Sequence, residues 1–304
     1  MSVWEFNAWR QRRLDEFELA LDQFLNLDAP ASLLEPMRYA TLAGGKRMRP
    51  MLAIAASEAV SGLDTDRQNP ALRQHVLRVA AAVECVHVYS LVHDDLPCMD
   101  DDEIRRGRPT AHVKFGEAQA LLAADALQCL AFELLSADFG AHPEVQVQWC
   151  RALSQAAGAG GMCGGQAIDI AAVGVALNQV ELERMHAQKT GALLRCALAL
   201  GGHAARANQS QLTALDQFGK HIGLAFQVID DVLDVTADAK VLGKTKGKDA
   251  ANDKPTFVSL LGLEAAIAYA NALHSKALDV LDQSDLAETK ALRALAEQIV
   301  VRTH

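Results

Sequence analysis

Apolar and helix-favouring residues run through this chain in long blocks, and none alternates apolar with polar in the two-residue rhythm of a half-buried strand. Ala, Leu, Glu and Gln dominate 117–136, 180–200, 208–235, 257–282 and 286–302, and most of these residue types lose little on ordering into a helix. Punctuation is sparse. With 8 Pro and 20 Gly in 304 residues, a few long helices are favoured over many short strands. Breaks are expected at 26–31, 61–70, 96–116, 137–143, 158–165, 201–208 and 237–255, none with the composition of a domain linker. The expectation is therefore an all-α, single-domain helical bundle over residues 1–304, because an all-helical fold of this length can close as one unit.

Composition narrows the partners. A hydrophobic share of 50% supplies a large core and excludes disorder and collagen. Acidic residues outnumber basic ones 38 to 29, a formal charge of -9, which argues against nucleic acid or an anionic membrane as the bulk partner. Any bound anion then needs a local basic cluster. The start, MSVWEFNAWRQRRLDEF, has no apolar secretion core, and no uncharged apolar stretch approaches the roughly 18 residues of a membrane span. A cytoplasmic chain with no stable membrane insertion is expected. The cysteines (Cys85, Cys98, Cys129, Cys150, Cys163 and Cys196) are dispersed without C-x-x-C or zinc spacing, and read as reduced thiols, mostly in the core.

Two aspartate clusters carry the candidate chemistry. Asp94, Asp95 and Asp100, followed at once by Asp101, Asp102 and Glu103, close the apolar segment VAAAVECVHVYSLVH. Acids are disfavoured at a helix C-terminus, where the dipole is negative, and a cation would remove the conflict. The second cluster, Asp230, Asp231 and Asp234, lies inside the apolar segment FGKHIGLAFQVIDDVLDV, so solvent exposure explains it poorly. At ~100° per residue, Gln227 and these three aspartates form one stripe. Hard divalent ions take oxygen ligands, and Mg²⁺ combines one or two carboxylates with waters and substrate phosphates. The EF-hand alternation of acids is missing, and the Glu-x-x-His spacing of di-iron bundles occurs only at Glu84–His87 and Glu183–His186, outside both aspartate clusters.

Basic clusters complement the acids. Gly44-Gly45-Lys46-Arg47-Met48-Arg49-Pro50 sets two glycines before three cations at the start of an apolar helix, where free N–H groups favour an anion. Arg105-Arg106-Gly107 follows the first acid cluster, Lys189-Thr190-Gly191 sits within a long helical block, and Lys244, Lys248 and Lys254 follow the second cluster. Alternating metal-ligand and phosphate-ligand groups describe a cavity for diphosphate–Mg²⁺ complexes. That chemistry alone leaves hydrolase, transferase and cyclase open.

Six motifs in order, GGKRMRP, AAVECVHVYSLVHDDLPCMDDDEIRRGRPTAHVKFG, GMCGGQAIDI, HAQKTGALLR, GLAFQVIDDVLD and the pair LGK with NDKPTF, resemble the bacterial trans-isoprenyl diphosphate synthases over nearly the whole chain. The resemblance implies the type I isoprenoid synthase bundle, a central cavity between the aspartate motifs, and a homodimer acting on small isoprenyl diphosphates. It implies that Asp94, Asp95, Asp100, Asp230, Asp231 and Asp234 hold three Mg²⁺ ions with the allylic diphosphate, with Mn²⁺ as a substitute. Arg105, Lys189, Gln227, Lys244 and Lys254 are implied on the allylic diphosphate, and Lys46, Arg49, His87 and Arg106 on isopentenyl diphosphate. Lys189, Thr190 and Gln227 are implied as the dipoles around the carbocation, with Gln166 and Asp169 orienting Lys189 or metal-bound water.

By the same resemblance, product length is set on the helix carrying Asp94. Ser90 is small and open, and Tyr89 is the floor that stops growth at C15, farnesyl diphosphate. An aromatic at 90 implies C10 and a small residue at 89 implies C20. The alternatives are a geranyl or geranylgeranyl diphosphate synthase and a non-catalytic subunit of a heteromeric synthase. A terpene cyclase would carry an Asn/Ser/Glu-type second motif in place of DDVLD.

Overall fold

The computed structural model describes residues 3–62, 69–236 and 255–300. The helices are α1 (Val3–Phe24), α2 (Ala31–Thr41), α3 (Met48–Ser61), α4 (Pro70–Asp94), α5 (Ala111–Phe115), α6 (Glu117–Ser136), α7 (Pro143–Ala157), α8 (Met162–Ala171) and α9 (Gln179–His186). A π-helical turn (Ala187–Gly191) leads directly into α10 (Ala192–Ala204), followed by α11 (Gln209–Thr236), α12 (Phe257–Leu261), α13 (Leu263–Asp282) and α14 (Lys290–Val300). The fold is all-α, as the blocks of helix formers predict.

Helix α4 is the axis of the bundle and packs against α3, α6 and α10. It starts where Pro70 occupies the first turn and the Asn69 side chain accepts from the Leu72 amide at 3.0 Å, satisfying an otherwise orphaned donor. Small residues let the central helices approach closely. Gly201 of α10 lies against the backbone of Ala53 in α3, where an added Cβ would come within 2.8 Å of the Ala53 carbonyl carbon. This backbone contact ties α3, and the basic cluster at its start, to the same frame as α4 and the π turn.

Four details differ from the sequence expectation. Ile104–Arg105 and Arg108–Pro109 pair as a short antiparallel hairpin, although no strand pattern is visible there. Its two-residue loop puts Arg106 at φ 53° and Gly107 at φ 72°, the left-handed pair that matches the twist of a tight hairpin. The block 180–200 is interrupted by the π turn instead of running as one helix. The breaks at 158–165 and 201–208 are shorter than expected, since α8 begins at Met162 and α10 runs to Ala204. Finally, the cysteines are not mostly in the core, since Cys85 and Cys196 are buried but Cys98, Cys129 and Cys163 are exposed. Helices α4 and α6 are each long and apolar enough to cross a membrane by length and composition, although charged residues interrupt both. Both pack into the bundle, α4 being mostly buried within it and α6 leaving Leu121 and Leu122 exposed.

Candidate active site

After α4 the chain folds back over the helix end. The Asp100 amide donates to the Asp94 carbonyl at 2.8 Å and the Asp102 amide to the Asp95 carbonyl at 3.1 Å, so the acids at 100–102 return to those at 94–95. Asp101 accepts a left-handed φ of 51° in this turn. Burial pushes the Asp94 carboxyl up to about 6, Lys189 opposes the shift, and Asp100 and Asp95 add to it. Asp95 is also raised by burial, against the pull of Arg105. That guanidinium closes on Asp95 with Nε at 2.7 and 2.9 Å from its two oxygens and Nη2 at 2.5 Å, while Asp102 lies 3.7 Å away.

Facing this cluster is the π turn. Lys189 Nζ donates to Asp169 Oδ2 of α8 at 2.6 Å, and its charge is felt at Asp94. Thr190 is buried beside it, and α11 brings half-buried Gln227 and Asp230 together with buried Asp231 and Asp234. One oxygen of Asp231 is committed to a task that its metal-ligand assignment does not include: Oδ2 accepts from the Phe257 amide at 2.7 Å, fixing the start of α12. Among the described residues no three His, Cys, Asp or Glu side chains form a ready-made metal cage. Lys244, Lys248 and Lys254 lie outside the described residues.

The basic cluster divides into two kinds of cation. Gly44 and Gly45 take φ of 74° and 140°, and the Arg106 guanidinium lies against Gly45, 2.9 Å from where a Cβ would stand, while donating to the Gly44 carbonyl. A side chain at 45 would displace Arg106. Arg47 is buried and left-handed, at φ 48°. It donates through Nε to Glu18, through Nη1 to Glu84 and through Nη2 to the Thr41 carbonyl, each at 2.7 Å. Arg47 therefore joins α1, α2 and α4 as a structural node, whereas Lys46 is exposed and Arg49 half-buried. Burial pushes Arg49 down to about 10, still charged near neutrality, with Glu84 opposing. His87 is held well below its ordinary value by burial and by Arg49, Arg106, Arg105 and Arg47, so it is neutral. His87, Arg49 and Arg106 share one electrostatic neighbourhood.

Five residues before Asp94, Tyr89 is buried, its ring edge-on to His93 at a centroid distance of 5.7 Å. Its hydroxyl lies 4.0 Å from the Cys163 thiol of α8, and burial pushes it up to about 12. Half-buried Ser90 donates to the His87 carbonyl at 2.8 Å. A small cavity also opens beside Arg105 and Arg106, lined by Val88, Leu91 and Val92 of α4 and by Tyr39. Those α4 residues form a stripe that omits Tyr89, so this cavity lies along a different face. Sequence reasoning missed Arg47 and Glu84 as a buried pair and Cys163 as the neighbour of Tyr89, since each pairing links elements far apart in the chain.

A family model described as polyprenyl synthetase matches residues 30–299. The chain is 47% identical over 278 residues to the farnesyl diphosphate synthase of Escherichia coli, covering 89% of each chain. It is 41% identical to the large subunit 1 of the heterodimeric geranylgeranyl pyrophosphate synthase of Arabidopsis thaliana, covering 99% of this chain and 80% of that one. A crystal structure of the geranyltransferase of Helicobacter pylori, complexed with magnesium and isoprenyl diphosphate, superposes with a TM-score of 0.84 at 36% identity, covering 96% of each chain.

Proposed function

The chain belongs to the polyprenyl synthetase family, and from that membership we propose that it condenses isopentenyl diphosphate head-to-tail with dimethylallyl and then geranyl diphosphate to give (2E,6E)-farnesyl diphosphate. The observation that carries the reading is the return of residues 100–102 onto Asp94 and Asp95, opposite Lys189, with the cations Arg49 and Arg106 around His87 on the same helix.

Mg²⁺ fits this acid set. Asp94 and Asp95 are desolvated carboxylates in need of counter-charge, and Mg²⁺ is ordinarily completed by waters and phosphates instead of a full protein cage. The residues that hold it are Asp94, Asp95, Asp100, Asp230 and Asp234, with Asp231 contributing the oxygen not used by Phe257. When bound, Mg²⁺ supplies Lewis-acid stabilisation of the leaving diphosphate. The described structure pairs Arg105 with Asp95 and Lys189 with Asp169, so each cation exchanges or shares its carboxylate when it clasps the allylic diphosphate together with Lys244 and Lys254. Lys46, Arg49, His87 and Arg106 hold isopentenyl diphosphate, with His87 as a neutral hydrogen-bonding group. The Lys189 carbonyl, Thr190 hydroxyl and Gln227 amide present dipoles to the carbocation, and such dipoles act best where water is excluded. The departed diphosphate takes the proton that completes the new double bond.

Burial of Tyr89 on the helix below Asp94 supports a C15 product. A C20 product is the second reading, favoured by the 41% identity to the Arabidopsis geranylgeranyl pyrophosphate synthase subunit. Exposed Leu121 and Leu122 on α6 support a homodimer. Purified protein with Mg²⁺, labelled isopentenyl diphosphate and dimethylallyl or geranyl diphosphate tests the proposal by product chromatography. Dominant C15 supports both the chemistry and the floor; C20 retains the chemistry and removes the floor; no product from either starter removes the catalytic reading.

A further inference from the structure

The π turn at Ala187–Gly191 is held from two sides by backbone contact. On one side stands α8. A Cβ added at Gly165 would overlap the Lys189 amide nitrogen and fall 2.5 Å from the Lys189 Cα and 2.8 Å from the Gln188 carbonyl carbon. Asp169 lies one helical turn further along the same face of α8, and its Oδ2 takes the Lys189 ammonium at 2.6 Å. Helix α8 therefore grips a single residue twice, by its main chain and by its side-chain tip.

On the other side stands α11. A Cβ at Gly223 would lie 3.2 Å from the Gly191 Cα, and one at Gly219 would lie 3.0 Å from the Arg195 Cγ and 3.3 Å from its Cα. Gly219, Gly223 and Gln227 are spaced i, i+4, i+8, so the face that touches the turn also carries Gln227. Contacts between main chains have no rotamers through which to yield, unlike contacts made by long side chains. A π turn is an uncommon helix irregularity that concentrates at functional sites, and it inserts a residue that shifts the direction of every following group.

Resting on the proposed roles of the Lys189 carbonyl, Thr190 and Gln227, we infer that Gly165 and Gly223 are positioning residues that fix the 189–191 main chain relative to Gln227. They touch neither substrate. Their absent side chains bring α8, the π turn and α11 to a separation at which the three dipoles converge on one point. A displacement of about 1 Å in such a group lowers turnover by up to about 10²-fold while leaving distant binding contacts in place.

The test compares Gly223→Ala and Gly165→Ala with Gly160→Ala, a glycine next to which a Cβ would meet nothing within 4 Å. Thermal melts establish the folded fraction, and initial rates with geranyl and isopentenyl diphosphates give kcat and both KM values. Gly165→Ala meets main chain directly, so its folding is the less secure; Gly223→Ala asks its neighbour to move by only a few tenths of an ångström and keeps the inference falsifiable. The expected result is folded Gly223→Ala with both KM values within about threefold of wild type and kcat lower by about tenfold or more, and Gly160→Ala unchanged. A folded Gly223→Ala with kcat within about twofold, or one whose loss lies entirely in KM, overturns the inference while leaving the condensation reading intact. An inactive wild type removes that reading and the inference with it.

Discussion

Asp231 and Phe257 are joined by a 2.7 Å hydrogen bond from the Phe257 amide to Asp231 Oδ2, across a sequence gap that contains Lys244 and Lys254. The aspartate therefore fastens the far end of that gap to the helix bearing the second acid cluster. Neighbouring Asp230 is the more exposed of the two. Asp231→Ala is expected to lose about 1–2 kcal/mol of stability, the range of a lost cap, as well as activity. Asp230→Ala is expected to lower kcat with little change in melting temperature. Melting curves and initial rates of the two variants separate the roles, and equal melting temperatures would remove the anchor role of Asp231.

The basic segment 44–50 makes a second contrast. Arg47 is buried and shared among Glu18, Glu84 and the Thr41 carbonyl. Removing its charge strands Glu84, which is itself 2% exposed, so Arg47→Ala is expected to lose about 3–5 kcal/mol of stability. Lys46→Ala changes an exposed side chain and is expected to raise the KM for isopentenyl diphosphate with an unchanged melting temperature. Chemical denaturation of both variants checks the first claim, and steady-state kinetics of Lys46→Ala the second.

These contrasts mark how far the sequence carries. The all-α class was legible because helix-forming composition is a local property, and the acid clusters because they sit against apolar blocks where charge has no bland reason to be. Arg47 was not separable from Lys46 and Arg49 in sequence, since what distinguishes it is burial between α1, α2 and α4, a tertiary fact. The 104–109 hairpin escaped because Arg106-Gly107 lacks the Asn-Gly signal of such a loop and only the structure reveals its left-handed pair. The π turn escaped because Thr190 and Gly191 weaken a helix without specifying a π turn, and the contacts of Gly165 and Gly223 that accompany it are distant in the chain.

Acid titration of the first cluster is expected to appear in the metal requirement. Burial lifts Asp94 to about 6, so below that value protons compete with the ion for the carboxylate. The half-saturating Mg²⁺ concentration is expected to rise by about tenfold per pH unit below the shifted value and to flatten above it. Rates measured across a Mg²⁺ series at several pH values check this, and a half-saturating concentration independent of pH between 5 and 7 would contradict it.

Histidine burial predicts a separate effect on folding. His186 is stacked on Phe257 with centroids 5.4 Å apart, and burial pushes its pKa from 6.5 down to about 4. The unfolded chain therefore binds a proton between about pH 6.5 and 4 that the folded chain refuses, and stability falls as pH drops through that window. At full loss the shift corresponds to about 3 kcal/mol, with His87 adding in the same direction. His186→Phe keeps a ring against Phe257 and removes the titration, so its stability is expected to fall less steeply from pH 7 to 4.5. Parallel slopes for the two proteins in denaturant titrations would mean that His186 is protonated in the folded state.

Product length is the sharpest readout of the site. Tyr89 is 4% exposed, and its hydroxyl reaches Cys163 of α8, so the ring is braced between two helices. Tyr89→Ala opens the space beneath the growing chain and is expected to shift the main product from C15 to C20. Ser90→Phe fills it from one residue nearer Asp94 and is expected to stop at C10. Cys163→Ala removes only the brace, so it is expected to yield a C15 majority with a C20 fraction above that of wild type. Chromatography of the dephosphorylated products ranks the three, and a Tyr89→Ala variant that still ends at C15 would place the floor on another residue.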